Sequence, residues 1–168
     1  MAMELRKLSI DDGQDVYEML QEIPAEENGF FNSLNGASYE EYKTWLVQAA
    51  ENAKKTEIED GWRVPQSTYW FYVDGMPVGI CRFRHFLTDK LRKEGGHIGY
   101  AVRPSMRGHG YGTLMLRQLL AVPPTMGVHR VLLSTHPDNL TSQRVILANG
   151  GQREIISPDR CHFWIDCP

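Results

Sequence analysis

The chain has 168 residues, 42% of them hydrophobic, and a formal net charge of −3. This length predicts one domain, residues 1–168, with enough apolar residues for a core. The small net charge and the lack of a basic block argue against nucleic acid as the main partner. No run approaches the roughly 18 apolar residues of a membrane span, and Met1–Leu8 lacks the apolar stretch of a secretion signal.

The cysteines indicate the redox environment. Cys81, Cys161 and Cys167 are odd in number and show no C-x-x-C spacing. This pattern is typical of reduced thiols, and it predicts neither a disulfide framework nor a metal site. We therefore expect a cytoplasmic protein without a bound metal or a membrane partner, as a monomer or a homodimer.

The first part of the chain is predicted to form one strand and two helices. Met3–Leu8 is β-prone, and Asp11-Asp12 can cap a helix that Pro24 ends. Ser38–Glu41 has the pattern of a capping box, in which serine and glutamate three residues apart satisfy each other's backbone N–H groups. The polar run Glu51–Asp60 is expected to be a solvated helix end and loop.

Three strands are predicted next. Thr68–Val73 is the most β-prone run of the chain, and Asp74-Gly75 is a two-residue hairpin turn that leads into a partner strand, Pro77–Phe86. Thr88–Gly96 reads as a charged loop. Ile98–Val102, short and apolar, is the third strand.

The remaining elements alternate between helix and strand. A helix follows residue 113 and is stopped by Pro123-Pro124; a strand, Val128–Thr135, leads to a helix capped at Asp138-Asn139 and ended by Gly150. A closing hairpin is predicted from the strands Gln152–Ile156 and Cys161–Ile165. Because strands and helices alternate only in this half, we expect an α/β (α+β) fold with a mixed sheet of about seven strands and about four helices.

A glycine-spaced turn lies between the strand Ile98–Val102 and the helix after it. Glycines let a backbone approach a ligand closely, and the first-turn N–H groups of a helix can hold an anion. A nucleotide P-loop is excluded, because Gly108–Gly112 is followed by Thr113 without a lysine. A dinucleotide fingerprint needs a third glycine at position 113 and an acidic residue near Val131–Leu133, and the chain has neither.

The pattern that fits is Arg-x-x-Gly-x-Gly, formed by Arg107, Gly110 and Gly112. It resembles the GNAT superfamily of acetyl-CoA-dependent N-acetyltransferases. The likeness continues in Asn139–Ser142, which has the spacing Asn-x-x-Ser, and in a helix that ends at Asn149–Gly151. The resemblance implies a GNAT-like fold with a twisted sheet whose parallel strands splay at a cofactor cleft, with acetyl-CoA as co-substrate.

The resemblance also implies which residues bind the coenzyme. Main-chain contacts to the pantetheine arm are expected from Tyr100, Ala101 and Val102, with an oxyanion donor near Ala101 or Val102. Asn139 and Ser142 are expected to contact the coenzyme from the other side. The residues expected around the pyrophosphate are Arg107, Gly108, His109, Gly110, Tyr111, Gly112 and Thr113.

The acid and the base depart from the family pattern. Ser134 stands where many members carry a glutamate, and Ile146 stands where many carry a tyrosine. His97 is therefore predicted as the base, because it opens the central strand and the ordinary pKa of histidine, about 6.5, suits proton transfer near neutral pH. His85 on the preceding strand is the second candidate.

We therefore predict an N-acetyltransferase that moves an acetyl group from acetyl-CoA to a primary amine of a small molecule or peptide, by direct attack in a ternary complex. Residues 1–66, including the loop Asn28–Gly36, are expected to form mainly the acceptor side, and residues 67–168 the sheet and the cofactor-binding core. The alternative is a non-catalytic acyl-CoA-binding sensor or interaction module, which the missing glutamate and tyrosine keep open.

Overall fold

The computed structural model describes residues 1–57 and 60–168. The strands are β1 (Met3–Lys7), β2 (Glu26–Glu27), β3 (Phe30–Phe31), β4 (Gln66–Val73), β5 (Met76–Arg84), β6 (Ile98–Val102), β7 (Arg130–Thr135), β8 (Gln152–Glu154) and β9 (Cys161–Asp166). The α-helices are α1 (Gln14–Glu22), α2 (Tyr39–Asn52), α3 (Asp89–Lys93), α4 (Tyr111–Leu119) and α5 (Leu140–Ala148). Of the predicted loop Glu51–Asp60, residues 58 and 59 lie outside this description. No helix in the described ranges is long and apolar enough to cross a membrane.

The strands form three sheets. One has the order β1-β4-β5-β6, another the order β7-β9-β8, and β2 and β3 form a small hairpin. Every pair of neighbouring strands in the described residues is antiparallel. The α/β fold class is confirmed, but the prediction of a mixed sheet is wrong in this respect.

No parallel pair forms among the described strands because β6 and β7 separate instead of pairing along their length. A single bridge, between Gly96 and Leu133, joins the two large sheets. Gly96 has φ +62°, and a Cβ there would overlap the main chain of Leu132. Only glycine permits this close approach. Beyond the bridge no ladder forms between β6 and β7, so the two sheets separate and a cleft opens between them.

Helices cover both faces of the four-stranded sheet. Because side chains alternate along a strand, one face of β4 and β5 presents Trp70 and Ile80 and the other presents Phe71 and Phe83. The first face packs against α1 and α2 through buried side chains that include Val16, Met19, Leu20, Tyr42 and Leu46. The second face packs against α4 and the three-stranded sheet through buried side chains that include Met115, Leu116, Leu119, Leu133 and Phe163.

Local signals fix several element ends as predicted. In the capping box, the Glu41 N–H donates to Ser38 Oγ (3.1 Å) and the Ser38 N–H donates to Glu41 Oε1 (3.0 Å). The hairpin turn has positive φ at both Asp74 (49°) and Gly75 (80°), the conformation that a type I′ turn needs. Asn139 caps α5 by accepting a hydrogen bond from an N–H of its first turn.

Other elements differ from prediction. The predicted charged loop Thr88–Gly96 contains α3, which Thr88 caps and Leu91 anchors in the core. Helix α1 begins after Gly13 without a side-chain cap. The predicted cap Asp12 instead accepts a hydrogen bond from the indole N–H of Trp70 (2.7 Å). A tertiary contact thus replaces the helix cap that the local sequence predicts.

Candidate functional site

The cleft between the parting sheets has a volume of about 1070 Å³. Sites for small molecules typically measure about 300–1,000 Å³, so this space suits one large ligand or two smaller ones. The turn before α4, the edge of β6, the end of β7 and the start of α5 line one half. The β2–β3 hairpin, the segment 62–66 and the end of β5 line the other half.

The glycine loop lies at one end of the cleft. Gly108 has φ +82° and Gly110 has φ +79°, and a Cβ at either position would meet no atom within 4 Å. Backbone conformation, rather than crowding, therefore requires glycine at these two positions. Gly110 is the N-cap of α4, and the Leu114 N–H donates to its carbonyl (3.3 Å).

The N–H groups before Leu114 have no acceptor within their own helix. They belong to Tyr111, Gly112 and Thr113, which all line the cleft. The positive end of the helix dipole lies at the same place, so this turn can hold a phosphate or another anion. At Gly112 a Cβ would make ordinary van der Waals contacts with Val145 (3.5 Å) and Val102 (3.7 Å), so packing does not itself require glycine at this position.

Arg107 braces the loop. Its Nε donates to the Val102 carbonyl (2.9 Å), and its guanidinium pairs with Glu27 on the β2–β3 hairpin (2.6 Å). An ion pair that is about 40% exposed contributes little to stability. Its geometric effect is larger, because Arg107 ties together the loop, the end of β6 and the opposite wall of the cleft.

The main chain of β6 presents alternate residues to the cleft. Pairing with β5 uses the Arg103 N–H, which donates to Val78 O, while Val102 O faces the other way and accepts from Arg107. Residues of antiparallel strands alternate in this way, so the N–H groups of Tyr100 and Val102 lie at the free edge. The main chain of Ala101 faces β5, although Ala101 also lines the cleft, and its contact with the coenzyme arm stays a prediction.

A pair of hydroxyl groups closes the cleft between β6 and α5. Tyr100 Oη and Ser142 Oγ lie 2.6 Å apart. Burial raises the pKa of Tyr100 to about 12, so its hydroxyl stays protonated at neutral pH. Asn139 Oδ1 accepts from the Ser142 N–H (3.3 Å), which fixes the first turn of α5 against this pair.

The two predicted catalytic histidines lie outside the cleft. His97 is only 6% exposed, and its Nδ1 accepts a hydrogen bond from the Leu132 N–H (2.9 Å). His85 Nε2 lies 2.8 Å from Ser67 Oγ. Both rings pack against Phe83. His97 is thus held in the core and His85, half-buried, lies just beyond the end of β5. Neither position favours a role in proton transfer to a bound amine.

His109 also lies outside the cleft, although it sits within the glycine loop. Its ring stacks on Tyr111 with 5.4 Å between centroids, and its Nδ1 lies 3.0 Å from the Arg107 carbonyl. Tyr111 lines the cleft, and its ring lies in the core with 6.5 Å between its centroid and that of Phe71. The other predicted coenzyme residues all line the cleft.

Acid should weaken the fold through His97. Burial, with a smaller effect of Arg84, lowers the pKa of His97 from 6.5 to about 4. Between pH 6.5 and about 4, His97 is protonated in the unfolded chain but stays neutral in the folded chain. The free energy of unfolding therefore decreases as the pH falls through this range. The loss amounts to at most about 3 kcal/mol.

Urea unfolding of His97→Asn between pH 4.5 and 7.5 tests this prediction. Asparagine keeps an acceptor for the Leu132 N–H and removes the titration, so we expect a flatter dependence of unfolding free energy on pH. The same change at the exposed His129 is the control. An unchanged slope in His97→Asn would contradict the prediction.

His136 is a cleft residue that the sequence prediction missed. It follows β7 directly, and its Nε2 would lie 3.3 Å from a Cβ on Gly29 of the β2–β3 turn. Arg160 lies 3.3 Å from its Nδ1. Since arginine only donates, we assign the proton of the neutral ring to Nε2. The signal was available, because His136 lies two residues after Ser134 and therefore on the same side of an extended chain.

The fold and its cleft define an acetyltransferase domain. Residues 3–152 match the family model described as the Acetyltransferase (GNAT) domain. The chain therefore belongs to the GNAT acetyltransferase family. No match was found among curated proteins.

Solved structures share the fold at low sequence identity. The ribosomal-protein-S5-alanine acetyltransferase from Vibrio fischeri superposes with a TM-score of 0.72 at 14% identity, over 99% of this chain and 94% of that one. RimL, a ribosomal L7/L12 alpha-N-protein acetyltransferase solved with coenzyme A, has a TM-score of 0.70 at 14% identity, over 100% and 97%. The Campylobacter jejuni N-acetyltransferase PseH, solved with acetyl coenzyme A, has a TM-score of 0.63 at 10% identity, over 99% and 100%.

Proposed function

We propose that this protein transfers an acetyl group from acetyl-CoA to a primary amine of a small molecule or peptide, with both substrates bound in the cleft. The observation that carries the proposal is the turn Gly108–Thr113, where positive φ angles lead into a helix whose first N–H groups face the cleft. Such a turn suits the pyrophosphate of coenzyme A.

The other walls fit the rest of the coenzyme. The free edge of β6, at Tyr100 and Val102, offers main-chain groups to an extended amide chain, which would lie beside it like an added strand. Thr135 Oγ1, buried at the opposite wall, has no hydrogen-bond partner among the described residues. A buried hydroxyl without a partner costs free energy, so a ligand that bonds to it would bind more tightly.

Proton delivery to the leaving sulfur is assigned to the hydroxyl pair. When bound, acetyl-CoA supplies the acetyl thioester. Tyr100 holds its proton at neutral pH and lies 2.6 Å from Ser142 Oγ, so one hydroxyl can donate into the cleft while the other replaces the proton. This pair would act as the general acid, in place of the tyrosine that many family members carry at the position of Ile146.

The acceptor is assigned to the half of the cleft beside the β2–β3 hairpin, which is continuous with the coenzyme half and allows direct attack. Residues 1–66 supply this hairpin, as their predicted acceptor-side role requires. His136 is assigned to acceptor binding, because Arg160 occupies its Nδ1 and leaves the Nε2 proton to donate. A cytoplasmic location stays a prediction, in keeping with the free Cys81, Cys161 and Cys167.

Two measurements test the function. Isothermal titration with acetyl-CoA should show binding at micromolar concentrations, and an assay for free thiol should show release that depends on an added amine. Binding without thiol release from any amine would favour the sensor instead. Absence of heat with acetyl-CoA would contradict the assignment of the glycine loop and both functions with it.

A further inference from the structure

We propose that the amine acceptor also carries a carboxylate, and that Arg82 and Arg84 bind this carboxylate at the acceptor end of the cleft. The inference rests on the proposed acetyl transfer and names the chemical class of its acceptor: an amino acid or a peptide with a nearby free acid.

The two arginines lie side by side. They are two residues apart on β5, so they share one face of the sheet with about 7 Å between their Cα atoms. Both line the cleft. Arg82 stacks on the ring of Phe30 (4.6 Å to the centroid), and its NH1 donates to the Phe31 carbonyl (2.8 Å). Its Nε is buried and has no hydrogen-bond partner within the described residues.

Arg84 also contacts only neutral groups. Its NH1 lies 3.3 Å from the Gly95 carbonyl and 3.2 Å from the Gly96 carbonyl. Among residues 1–57 and 60–168, no carboxylate forms an ion pair with Arg82 or Arg84. Two guanidinium groups therefore lie together in the cleft wall without a countercharge.

Neighbouring cations do have acidic partners. Arg107 pairs with Glu27 (2.6 Å), and Arg160 pairs with Glu94 (2.7 Å), and all four residues line the same cleft. Glu26 accepts a hydrogen bond from a backbone N–H of the hairpin turn. Glu26, Glu27 and Glu94 are thus engaged elsewhere, and Glu57, which also lines the cleft, forms no ion pair with Arg82 or Arg84 within the described residues.

Electrostatics explains why this arrangement suits an anion. Burial, together with a smaller effect of the Arg84 charge, lowers the pKa of Arg82 to about 10. Burial also lowers the pKa of Arg84. A buried charge without a partner is costly, and an anionic ligand would remove that cost on binding. Removing the arginines should therefore harm binding more than folding.

A small, planar carboxylate suits the space beside these arginines. It accepts paired N–H groups from a planar guanidinium, and of the Arg82 nitrogens NH1 already donates to the Phe31 carbonyl. Gly99 pairs with Arg82 across the ladder and has no side chain, which leaves room above β6 for the ring of Phe30 and for a small ligand beside it. An aminoalkyl phosphate would carry a larger charge, about −1.5 to −2, on a bulkier tetrahedral group, and the test separates the two.

The test compares matched acceptors by thiol release. The panel contains amino acids, their neutral carboxamides and aminoalkyl phosphates. For the wild type we expect kcat/KM at least tenfold higher with the carboxylates than with the carboxamides or phosphates. Arg82→Gln and Arg84→Gln should bring the carboxylate-to-carboxamide ratio close to one, with the KM for acetyl-CoA changed less than twofold. Arg82→Lys, which keeps the charge without the fork, should lie between. Arg153→Gln, at an exposed arginine on β8, is the control.

The possible outcomes are distinct. Turnover of neutral amines without a preference for carboxylates, or an unchanged ratio in both glutamine variants, overturns the inference and leaves the acetyl transfer standing. A preference for phosphates also overturns it. If no amine causes thiol release, the proposed function is contradicted. The inference is then tested by calorimetry with N-acetyl amino acids. It requires measurable binding to the wild type and at least tenfold weaker binding to Arg82→Gln. Melting temperatures show whether each variant is folded.

Discussion

Replacement of Gly110 by alanine is expected to weaken acetyl-CoA binding by roughly ten- to hundredfold. Gly110 has φ +79° and ψ 9° at the N-cap of α4, and an alanine there favours a different backbone conformation. The turn would then present its N–H groups in the wrong direction. Loss of one hydrogen bond to a charged group costs about 1.5–3 kcal/mol, which corresponds to this range of affinity. Calorimetry with acetyl-CoA measures it.

Gly127 provides a closely matched control. It has φ +79° and ψ 11°, and, as at Gly110, a Cβ would meet no atom within 4 Å. Both alanine variants should lose about 1–2 kcal/mol of stability, a fall in Tm of about 2–8 °C, because both strain the same conformation. Only Gly110→Ala should lose affinity for acetyl-CoA. Equal affinities in the two variants would show that the loop does not hold the coenzyme.

The coenzyme half of the cleft could be predicted from sequence because its signals are local. Glycines at fixed spacing are needed for their own backbone angles, as at Gly108 and Gly110, and a side chain such as Asn139 caps the helix that it begins. The Asp74-Gly75 turn was predictable for the same reason. In each case the residue type and the geometry it permits belong to the same few positions.

The positions of the His97 and His85 rings could not be predicted in this way, because the partner of each ring comes from a distant part of the chain. His97 contacts Leu132 and His85 contacts Ser67, and neither ring lines the cleft. His136 reaches the cleft because Gly29 lies across from it. A pKa suited to catalysis therefore says little until the fold decides which rings are buried.

The same limit applies to Arg82 and Arg84. In the sequence they alternate with Cys81 and Phe83, which predicts that their side chains share one face of β5. Their lack of acidic partners within the described residues became visible only with the hairpin in place, since Glu26, Glu27 and Glu94 are engaged elsewhere. The unpaired charge of Arg82 and Arg84 thus depends on the tertiary structure around them and not on the local sequence.

Replacement of Tyr100 by phenylalanine is expected to lower kcat by about a hundredfold and to change the affinity for acetyl-CoA less than threefold. Loss of a general acid typically costs about 10²–10⁴ in rate. The phenyl ring keeps the packing on β6, and only the hydroxyl that lies 2.6 Å from Ser142 Oγ is lost. Thiol release at saturating acetyl-CoA, with the best amine of the panel, gives kcat.

Tyr72→Phe separates this effect from the loss of a buried hydrogen bond. Burial also raises the pKa of Tyr72 to about 12, and its hydroxyl donates to Asp15 (3.4 Å), but it does not line the cleft. Both variants should lose about 1 kcal/mol of stability; only Tyr100→Phe should lose turnover. An equal kcat in the two variants would contradict the assignment.

The double variant of Tyr100→Phe with Ser142→Ala asks whether the two hydroxyls act as one unit. If one delivers the proton and the other replaces it, removing both should cost no more than the worse single change, because each single variant already breaks the relay. Independent roles would instead make the two losses in kcat multiply. If the losses in kcat multiply, Tyr100 and Ser142 contribute separately. The proton would then reach the sulfur without a relay between the hydroxyl on β6 and the hydroxyl on α5.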